Sequence, residues 1–481
     1  MELRAISSWI AKDPLGWTGC AAALLELAAL GILCAGCSTY ESMPLDRAAA
    51  DRALAPQAME SVRVAASQLK HPLLAPVVID GRGGFTPDEI AVMVVVVSPD
   101  LRALRDRRGV AEAQVVQAGI LPNPQLGYSV DRPHGTYDPA VVEAKALGLS
   151  WEVTSLLTHH SQLASAKAAA KAVDLSVAWQ EWQTAQDARL RAYRILSLER
   201  RIPLARTIED GMAEALELTR KATVLHQRTA TDLTAMAESW TQSQSTRFDL
   251  ERQLGSERSA LSVSLGMAQG DPVPLKYAGS ARDGSQAAMP GAGELLAGLE
   301  DRRLDLVALR YGYESQEESL RAAVLAQFPK IGLSVNKTND TTPIYTRGAG
   351  VTVDLPIFDR NQGQIGIGKA TRRQLFDEYV ARVAEARAQV GQALANLALV
   401  RAQLRTVEGS LPELSQLVAS NETALRTRSA DESALREAHS ALATRQIEQS
   451  LLRQEVVELE VALEIVTGRP SDDRAIIPRY Q

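Results

Sequence analysis

Four short segments of the chain alternate between apolar residues and small or polar ones, at 125–131, 147–153, 331–336 and 350–355. Successive side chains of a β-strand point to opposite faces, so this pattern predicts four strands, each with one apolar face. The residues that we assign to this apolar face and consider most informative are Tyr128, Leu147, Leu149, Trp151, Leu333, Val351 and Val353.

One apolar face and one small or polar face are typical of an outer-membrane barrel, with lipid outside and water inside. A soluble β-sandwich gives the same alternation, but the long helical stretches that separate these strands exclude one. Four strands are too few to close a barrel, and free strand edges cannot face lipid. The pattern therefore predicts that several copies of the chain combine their strands and that the apolar face contacts lipid.

Two long stretches, 160–266 and 361–467, contain little Gly or Pro and carry helical apolar stripes. In the second stretch the apolar residues recur at alternating intervals of four and three, which predicts a left-handed coiled coil. That stripe consists of Tyr379, Val383, Ala386, Val390, Ala393, Leu397, Val400 and Leu404. In the first stretch a similar stripe, which Arg189 interrupts, consists of Leu175, Ala178, Trp182, Ala185, Ala192 and Leu196. Each stretch is too long for one helix of a compact domain, so we predict an outgoing and a returning helix with turns within 223–232 and 425–434.

The chain repeats itself. The sequence DLRAL at 100–104 returns as DLVAL at 305–309, an offset of 205, whereas Gly148 and Gly350 are separated by 202. The difference of three falls between the two strands of each copy, where a hairpin loop would lie. The predicted organisation is a lipoprotein signal peptide (1–36), an extended lipidated segment (37–85), a first repeat (86–267), a linker (268–292), a second repeat (293–468) and a short tail (469–481).

Each repeat begins with a helical stretch, at about 86–120 and 293–327. In the first, Thr86 is followed by Pro87 and, three residues after the threonine, by Glu89. This arrangement predicts a helix start with Thr86 as N-cap and Glu89 completing a capping box.

The three cysteines, Cys20, Cys34 and Cys37, all lie near the N-terminus. Their confinement there excludes a disulfide framework or a cysteine nucleophile in the remainder. The string Leu-Cys-Ala-Gly-Cys that ends at Cys37 resembles the bacterial lipobox, which predicts cleavage before Cys37 and its acylation with fatty acids such as palmitate. Ser38 after it resembles the signal for outer-membrane sorting. A membrane-anchor helix and a misassigned start codon remain alternatives.

Composition and motifs argue against an enzyme. The formal net charge is −6, so the composition does not indicate a basic surface that would bind nucleic acid. Only 4% of the residues are aromatic. No phosphate-binding loop, dinucleotide-binding glycine motif, nucleophile elbow or zinc-protease motif is present. His159 and His160 are adjacent and would diverge by about 100° on a helix, so they predict no shared metal. We expect solvated or capping histidines, no cofactor and no metal site.

Two strings flank the strands. AGILPNP at 118–124 precedes the first strand, and LPIFDRNQG at 355–363 follows the fourth, where Asp359 is expected to cap the next helix with Gln362. With the repeat, these strings resemble the TolC-type outer-membrane efflux proteins over 87–468. The second string is especially similar to those of the heavy-metal-efflux branch, and drug and solvent exporters carry similar strings.

This resemblance implies a mainly α fold with a small β part: a tandem-repeat, long-helix coiled-coil barrel, to which each chain adds four strands of a trimeric twelve-stranded outer-membrane β-barrel. It implies a lipid-anchored homotrimer in the outer membrane that extends into the periplasm. Such a duct passively exports small molecules or metal ions delivered by an inner-membrane pump, of the resistance-nodulation-division type, and a periplasmic adaptor.

The resemblance also implies that the helical turns dock the adaptor, through Thr229 and Asp232 in the first turn and Arg428 and Asp431 in the second. Family turns often contain a glycine, which both turns lack here. Two alternatives stay open. One is a structural coiled-coil lipoprotein that acts as a spacer in the cell envelope, although a spacer does not need the strands. The other is the outer-membrane duct of a type I protein secretion system.

Overall fold

A computed structural model describes residues 39–55, 57–135, 141–267, 273–277, 291–342, 344–427 and 432–469. The chain forms two compact units, Met1–Ala55 and Pro56–Gln481. In the first unit the described residues contain one helix, α1 (Arg47–Ala53), whose N-cap Asp46 accepts a hydrogen bond from the Ala49 amide. The predicted signal peptide 1–36 and the tail from 470 lie outside the described residues.

The second unit is mainly helical with one small sheet, as predicted. Its elements are α2 (Met59–Ser67), α3 (Pro87–Val97), α4 (Pro99–Gly119), β1 (Gln125–Asp131), β2 (Ala144–Glu152), α5 (Ser155–Val224), α6 (Ala230–Ser264), α7 (Ala292–Leu296), α8 (Leu299–Arg302), α9 (Leu304–Leu325), β3 (Lys330–Asn339), β4 (Tyr345–Asp354), α10 (Gln362–Arg426) and α11 (Glu432–Thr467). The segment 37–85 was expected to be extended; α1 and α2 correct that expectation.

The four strands form one antiparallel sheet in the order β1-β2-β3-β4. The two hairpins come from different repeats, and the central pair β2–β3 joins the repeats, with Gly148 opposite Asn336. All four predicted strands are confirmed. The β3–β4 hairpin is longer than the pattern predicted, because pairing continues to Asn339 and Tyr345 at the end remote from the helices.

The helical stretch at 86–120 begins as predicted but is two helices. Thr86 and Glu89 form the expected capping box: the Thr86 hydroxyl accepts from the Glu89 amide, and the Glu89 carboxylate accepts from the Thr86 amide. The break falls at Ser98, because Pro99 has no amide hydrogen and clashes with a continuing helix before it. In the second repeat the corresponding break, 205 residues later, lies at Arg303, between α8 and α9.

The long helices run out and return. At 1.5 Å per residue, the 70 residues of α5 make a helix roughly 105 Å long. α5 packs against α6, α9 and α11, and α10 packs against α11. The predicted apolar stripes form the contacts: Ala386, Val390 and Leu397 of the second repeat are buried, and Trp182 of the first is 1% exposed. Burial of these stripes holds helices of both repeats together.

Two local predictions differ from the structure. The linker 268–292 is packed in part, because Leu275 pairs with Phe85 in a parallel bridge and contacts an apolar cluster of the first repeat. The cap assigned to Asp359 is wrong: α10 begins after Asn361, whose φ is +59°. The Asp359 carboxylate instead accepts from the Asn361 amide at 2.8 Å, which closes a turn before the helix starts.

Candidate functional site

The predicted apolar residues lie together on one face of the sheet. Residues directly opposite in the register point to the same face, and Trp151, Leu333 and Val351 form one continuous row across β2, β3 and β4. Tyr128 is opposite Leu147, and Leu149 and Val353 occupy adjoining positions of this face. Val351 is 67% exposed although it is apolar. The sheet therefore presents an uncovered apolar surface.

Trp151 stands at the end of this surface that is nearest the helices. Its indole Nε1 donates a hydrogen bond to the Pro122 carbonyl at 2.8 Å. The ring thus adds apolar area to the face while its polar edge is satisfied by the segment between α4 and β1.

The opposite face of the sheet carries small and polar side chains. Ser334 approaches Gly350 so closely that a Cβ added there would lie 2.8 Å from the Ser334 Oγ. At Gly348 an added Cβ would overlap the Asn336 Oδ1. The glycines of β4 therefore make room for polar side chains of β3 on this face. The sheet has one face suited to lipid and one suited to water.

Among the described helices, none combines the length and apolarity needed to cross a membrane.

The first predicted turn joins α5 and α6. Thr229 is the N-cap of α6: its hydroxyl accepts from the Asp232 amide at 3.1 Å, and the Asp232 carboxylate accepts from the Thr229 amide at 2.9 Å. These hydrogen bonds lower the pKa of Asp232. His226 has a φ of +56° and occupies the left-handed position that glycine commonly fills after a helix. A position at a helix end is one of the two kinds expected for the histidines, although the pattern did not single out His226 for it.

The second predicted turn lies between Arg426 and Glu432, and Arg428 and Asp431 are outside the described residues. Helices on either side of it are in contact. The His439 Nε2 lies 3.9 Å from a carboxylate oxygen of Glu422, and the Arg436 guanidinium lies 3.5 Å from Glu214 on α5. The ion pair between Arg436 and Glu214 thus connects the two helical hairpins near this turn.

Arg189, which interrupts the predicted stripe, is buried and forms ion pairs inside the protein. Its Nε lies 2.8 Å from Asp88 of α3 and its Nη1 lies 2.9 Å from Glu464 of α11. Burial alone would lower the pKa of Arg189, but the charges of Glu464 and Asp88 outweigh it and raise the pKa. This cluster connects the beginning of the first repeat with the end of the second. In the sequence, only the interruption of the apolar stripe at Arg189 pointed to this cluster.

A second buried polar cluster surrounds His71. The side chain of His71 is buried, so it is not one of the solvated histidines expected from the sequence. His71 Nδ1 accepts from the amides of Leu73 and Leu74, and Nε2 donates to the Ala178 carbonyl at 2.9 Å. Burial lowers the pKa of His71, and the Ala178 carbonyl and the Glu181 carboxylate, 3.7 Å away, oppose that shift only in part. A neutral imidazole therefore ties the chain after α2 to α5.

The same cluster borders an open cavity of about 620 Å³. Arg105 and Arg108 of α4 both reach Glu181, at 2.5 and 3.4 Å, so the carboxylate is neutralised by neighbouring cations. Within the described residues, no three His, Cys, Asp or Glu side chains are arranged to hold a metal ion. The geometry is that of a structural ion-pair cluster. Cys37, the predicted lipidation site, lies outside the described residues.

Residues 295–469 match the family model described as "Outer membrane efflux protein". No curated protein matches the chain in sequence.

Solved structures share the fold over 80–90% of this chain. The outer-membrane channel OprN is 16% identical, with 80% of this chain and 90% of that chain covered at a TM-score of 0.64. CusC, whose structures concern folding and transmembrane channel formation, is 14% identical, with 90% and 99% covered at 0.63. The CmeC outer membrane channel of Campylobacter jejuni is 12% identical, with 80% and 87% covered at 0.64. The predicted mainly α fold with its small sheet is confirmed.

Proposed function

We propose that the protein is the outer-membrane duct of a tripartite efflux system, because residues 295–469 match the outer membrane efflux protein model. The observation that carries the proposal is the four-stranded sheet with one uncovered apolar face and one polar face, attached to helices roughly 100 Å long. A coiled-coil spacer would not need such a sheet.

Among the described residues, the outer strands of the sheet, β1 and β4, each pair on one side only. An unpaired edge is not tolerated in lipid, because its amides and carbonyls would lack partners. Three chains would close a barrel of twelve strands, the edge β4 of one copy pairing with β1 of the next. Mass measurement of the detergent-solubilised protein should give three chains, and a stable monomer would contradict the proposal.

The helical turns are the proposed contact with a periplasmic adaptor, which would in turn connect the duct to an inner-membrane pump. Thr229 and Asp232 order the first turn through their reciprocal hydrogen bonds and leave its exposed surface available. Arg428 and Asp431 are assigned to the second turn on the sequence alone.

Cysteine crosslinking tests this assignment. Thr229→Cys and Asp431→Cys should each crosslink to the adaptor in intact cells. Ser129→Cys, on the polar face of β1, is the control and should not. Crosslinking at residue 129 with none at either turn would mean that the orientation of the duct has been assigned backwards.

We infer metal cations as the exported class, on the similarity of the string at 355–363 to the heavy-metal-efflux branch. The duct itself would be passive, with energy supplied by the pump. Deletion of the gene should sensitise cells to a metal that the pump exports, and a plasmid copy should restore growth. Sensitivity to dyes or detergents but to no metal would remove the metal assignment and leave the duct assignment standing.

The proposed anchor is an acylated Cys37. Each methylene buried in the bilayer contributes about 0.8 kcal/mol, so a multiply acylated cysteine would hold the N-terminus firmly at the membrane surface.

A further inference from the structure

Two helix faces are uncovered although their counterparts in the other repeat are packed together. α9 of the second repeat packs against α5 of the first, close to the place where β3 pairs with β2. By the repeat, α4 corresponds to α9 and α10 corresponds to α5. In the part of the chain that the structure describes, α4 and α10 make no comparable contact with each other.

The bounds of the helices fix this correspondence. α4 begins at Pro99 and α9 begins at Leu304, 205 positions later. α5 ends at Val224 and α10 ends at Arg426, 202 positions later. These are the two offsets that the sequence shows before and after the hairpin loops. Each position of α9 therefore corresponds to the position 205 earlier on α4, and each position of α5 to the position 202 later on α10.

The interface between α5 and α9 covers a stripe of small side chains on α5. The Ser165 hydroxyl donates a hydrogen bond to the Ser315 carbonyl of α9 at 2.8 Å and lies 3.0 Å from the Ser315 hydroxyl. Ser161 and Ala168 share this face of α5, because residues three and four positions apart are neighbours on a helix. Ser161 is 2% exposed and Ala168 is 7% exposed.

The corresponding faces of α10 and α4 are open and more apolar. Gly363, Ile367 and Ala370 of α10 correspond to the covered stripe of α5, and all three are exposed. A Cβ added at Gly363 would meet no atom within 4 Å. Ile367 is 60% exposed, and so is Val110, the position of α4 that corresponds to Ser315. Where the covered interface has two hydrogen-bonded serines, the open faces thus have an isoleucine and a valine.

We propose that α10 of one copy packs against α4 of the next copy, with Ile367 in contact with Val110 of that copy. This inference rests on the proposed trimer and names the helix faces through which its copies meet. Continuity with the barrel supports it. α5 follows β2 and α9 precedes β3, the pair that joins the repeats within the chain. α10 follows β4 and α4 precedes β1, the pair proposed to join one copy to the next.

The difference in side chains fits the different tasks of the two interfaces. Burial of Ile367 and Val110 would remove apolar surface from water only when two copies meet, so it favours association. A serine pair exchanges hydrogen bonds with water for a hydrogen bond within the protein, and the net gain is small. Such a pair suffices between α5 and α9, which belong to one chain and need no force to bring them together.

The test is disulfide formation in the membrane-bound full chain. Val110→Cys/Ile367→Cys places a cysteine on each open face. Ser165→Cys/Ser315→Cys places a pair at the corresponding positions of the interface within the chain. Both pairs are treated with a mild oxidant, separated by mass without reductant, and assayed for remaining free thiols by alkylation. A disulfide needs Cα atoms within about 7 Å of each other, so it reports direct contact.

The two pairs should give opposite results. Val110→Cys/Ile367→Cys should shift from the mass of one chain to the masses of two and three chains, and a reductant should reverse the shift. Ser165→Cys/Ser315→Cys should lose its free thiols and keep the mass of one chain. The negative control is Val110→Cys/Phe376→Cys. Phe376 is also exposed on α10, but nine residues, or two and a half turns, place it on the side opposite Ile367, so no linked chains should form.

Three results would overturn the proposal while the duct assignment survives, provided that the detergent-solubilised wild type has the mass of three chains. The first is no linked chains from Val110→Cys/Ile367→Cys. The second is equal linking by Val110→Cys/Phe376→Cys. The third is loss of thiols from Val110→Cys/Ile367→Cys without a change in mass, which would place the contact inside one chain. A wild type with the mass of one chain would instead remove the proposed function and this inference with it.

Discussion

Replacing Val351 with arginine tests whether the apolar face of the sheet contacts lipid. Val351 is 67% exposed and lies in the row formed with Leu333 and Trp151. It is four residues from Arg347 and four from Leu355, or roughly 13 Å along the strand from each. The substitution therefore places a charge near the middle of the proposed apolar band.

The expected cost follows from that depth. An arginine on the lipid face of a barrel costs about 2–4 kcal/mol at the bilayer midplane and close to zero at its edges. Three chains would suffer the change together, so the trimer would lose roughly 6–12 kcal/mol. In water the same exposed substitution would change stability by about 0.5 kcal/mol or less.

Thr352→Arg is the matched control. Thr352 is the next residue of β4, lies on the opposite face and is opposite Gly332, which leaves room for a long side chain. Both variants should be refolded into lipid vesicles, and the urea dependence of the folded fraction measured. Val351→Arg should unfold at lower urea by a free-energy difference of about 2–4 kcal/mol per chain. Thr352→Arg should remain within about 1 kcal/mol of the wild type.

The reasoning is refuted if the two variants are equally stable in lipid, or if Thr352→Arg is the less stable. The first result would mean that the face is covered by protein. The second would mean that the two faces have been exchanged.

Further predictions concern the anchor and the two buried clusters. Fatty-acid labelling should mark the wild type but not Cys37→Ser, and equal labelling would exclude acylation there. Arg189→Met should cost about 3–5 kcal/mol, because the buried Glu464 loses the guanidinium that lies 2.9 Å from it, and Glu464→Met in addition should recover much of that cost in urea titrations. Because the pKa of His71 is lowered by folding, its contribution to stability is complete above about pH 6.5 and is lost as the pH falls further. Melting temperatures of wild type and His71→Asn should therefore converge on acidification; a constant difference would contradict this.

The sequence by itself determined the strands, their faces and the helical stripes. Period-two alternation identifies Leu147, Leu149 and Val353 as members of one face, because backbone geometry alone sends alternate side chains to opposite sides. The helix start at Thr86 was equally predictable, since its capping box uses residues only three positions apart. Such features depend on neighbours along the chain, and a local pattern specifies them completely.

The tertiary structure alone decided which distant groups meet. Arg189 looked like a defect of a stripe until packing placed it beside Glu464, 275 positions away. His71 became a buried acceptor only because the chain after α2 folds against α5. The pairing of Lys337 with Arg347 likewise needed the register between β3 and β4. The free energy of a charge depends on its partners and its burial, and both are set by contacts between segments that are remote in sequence.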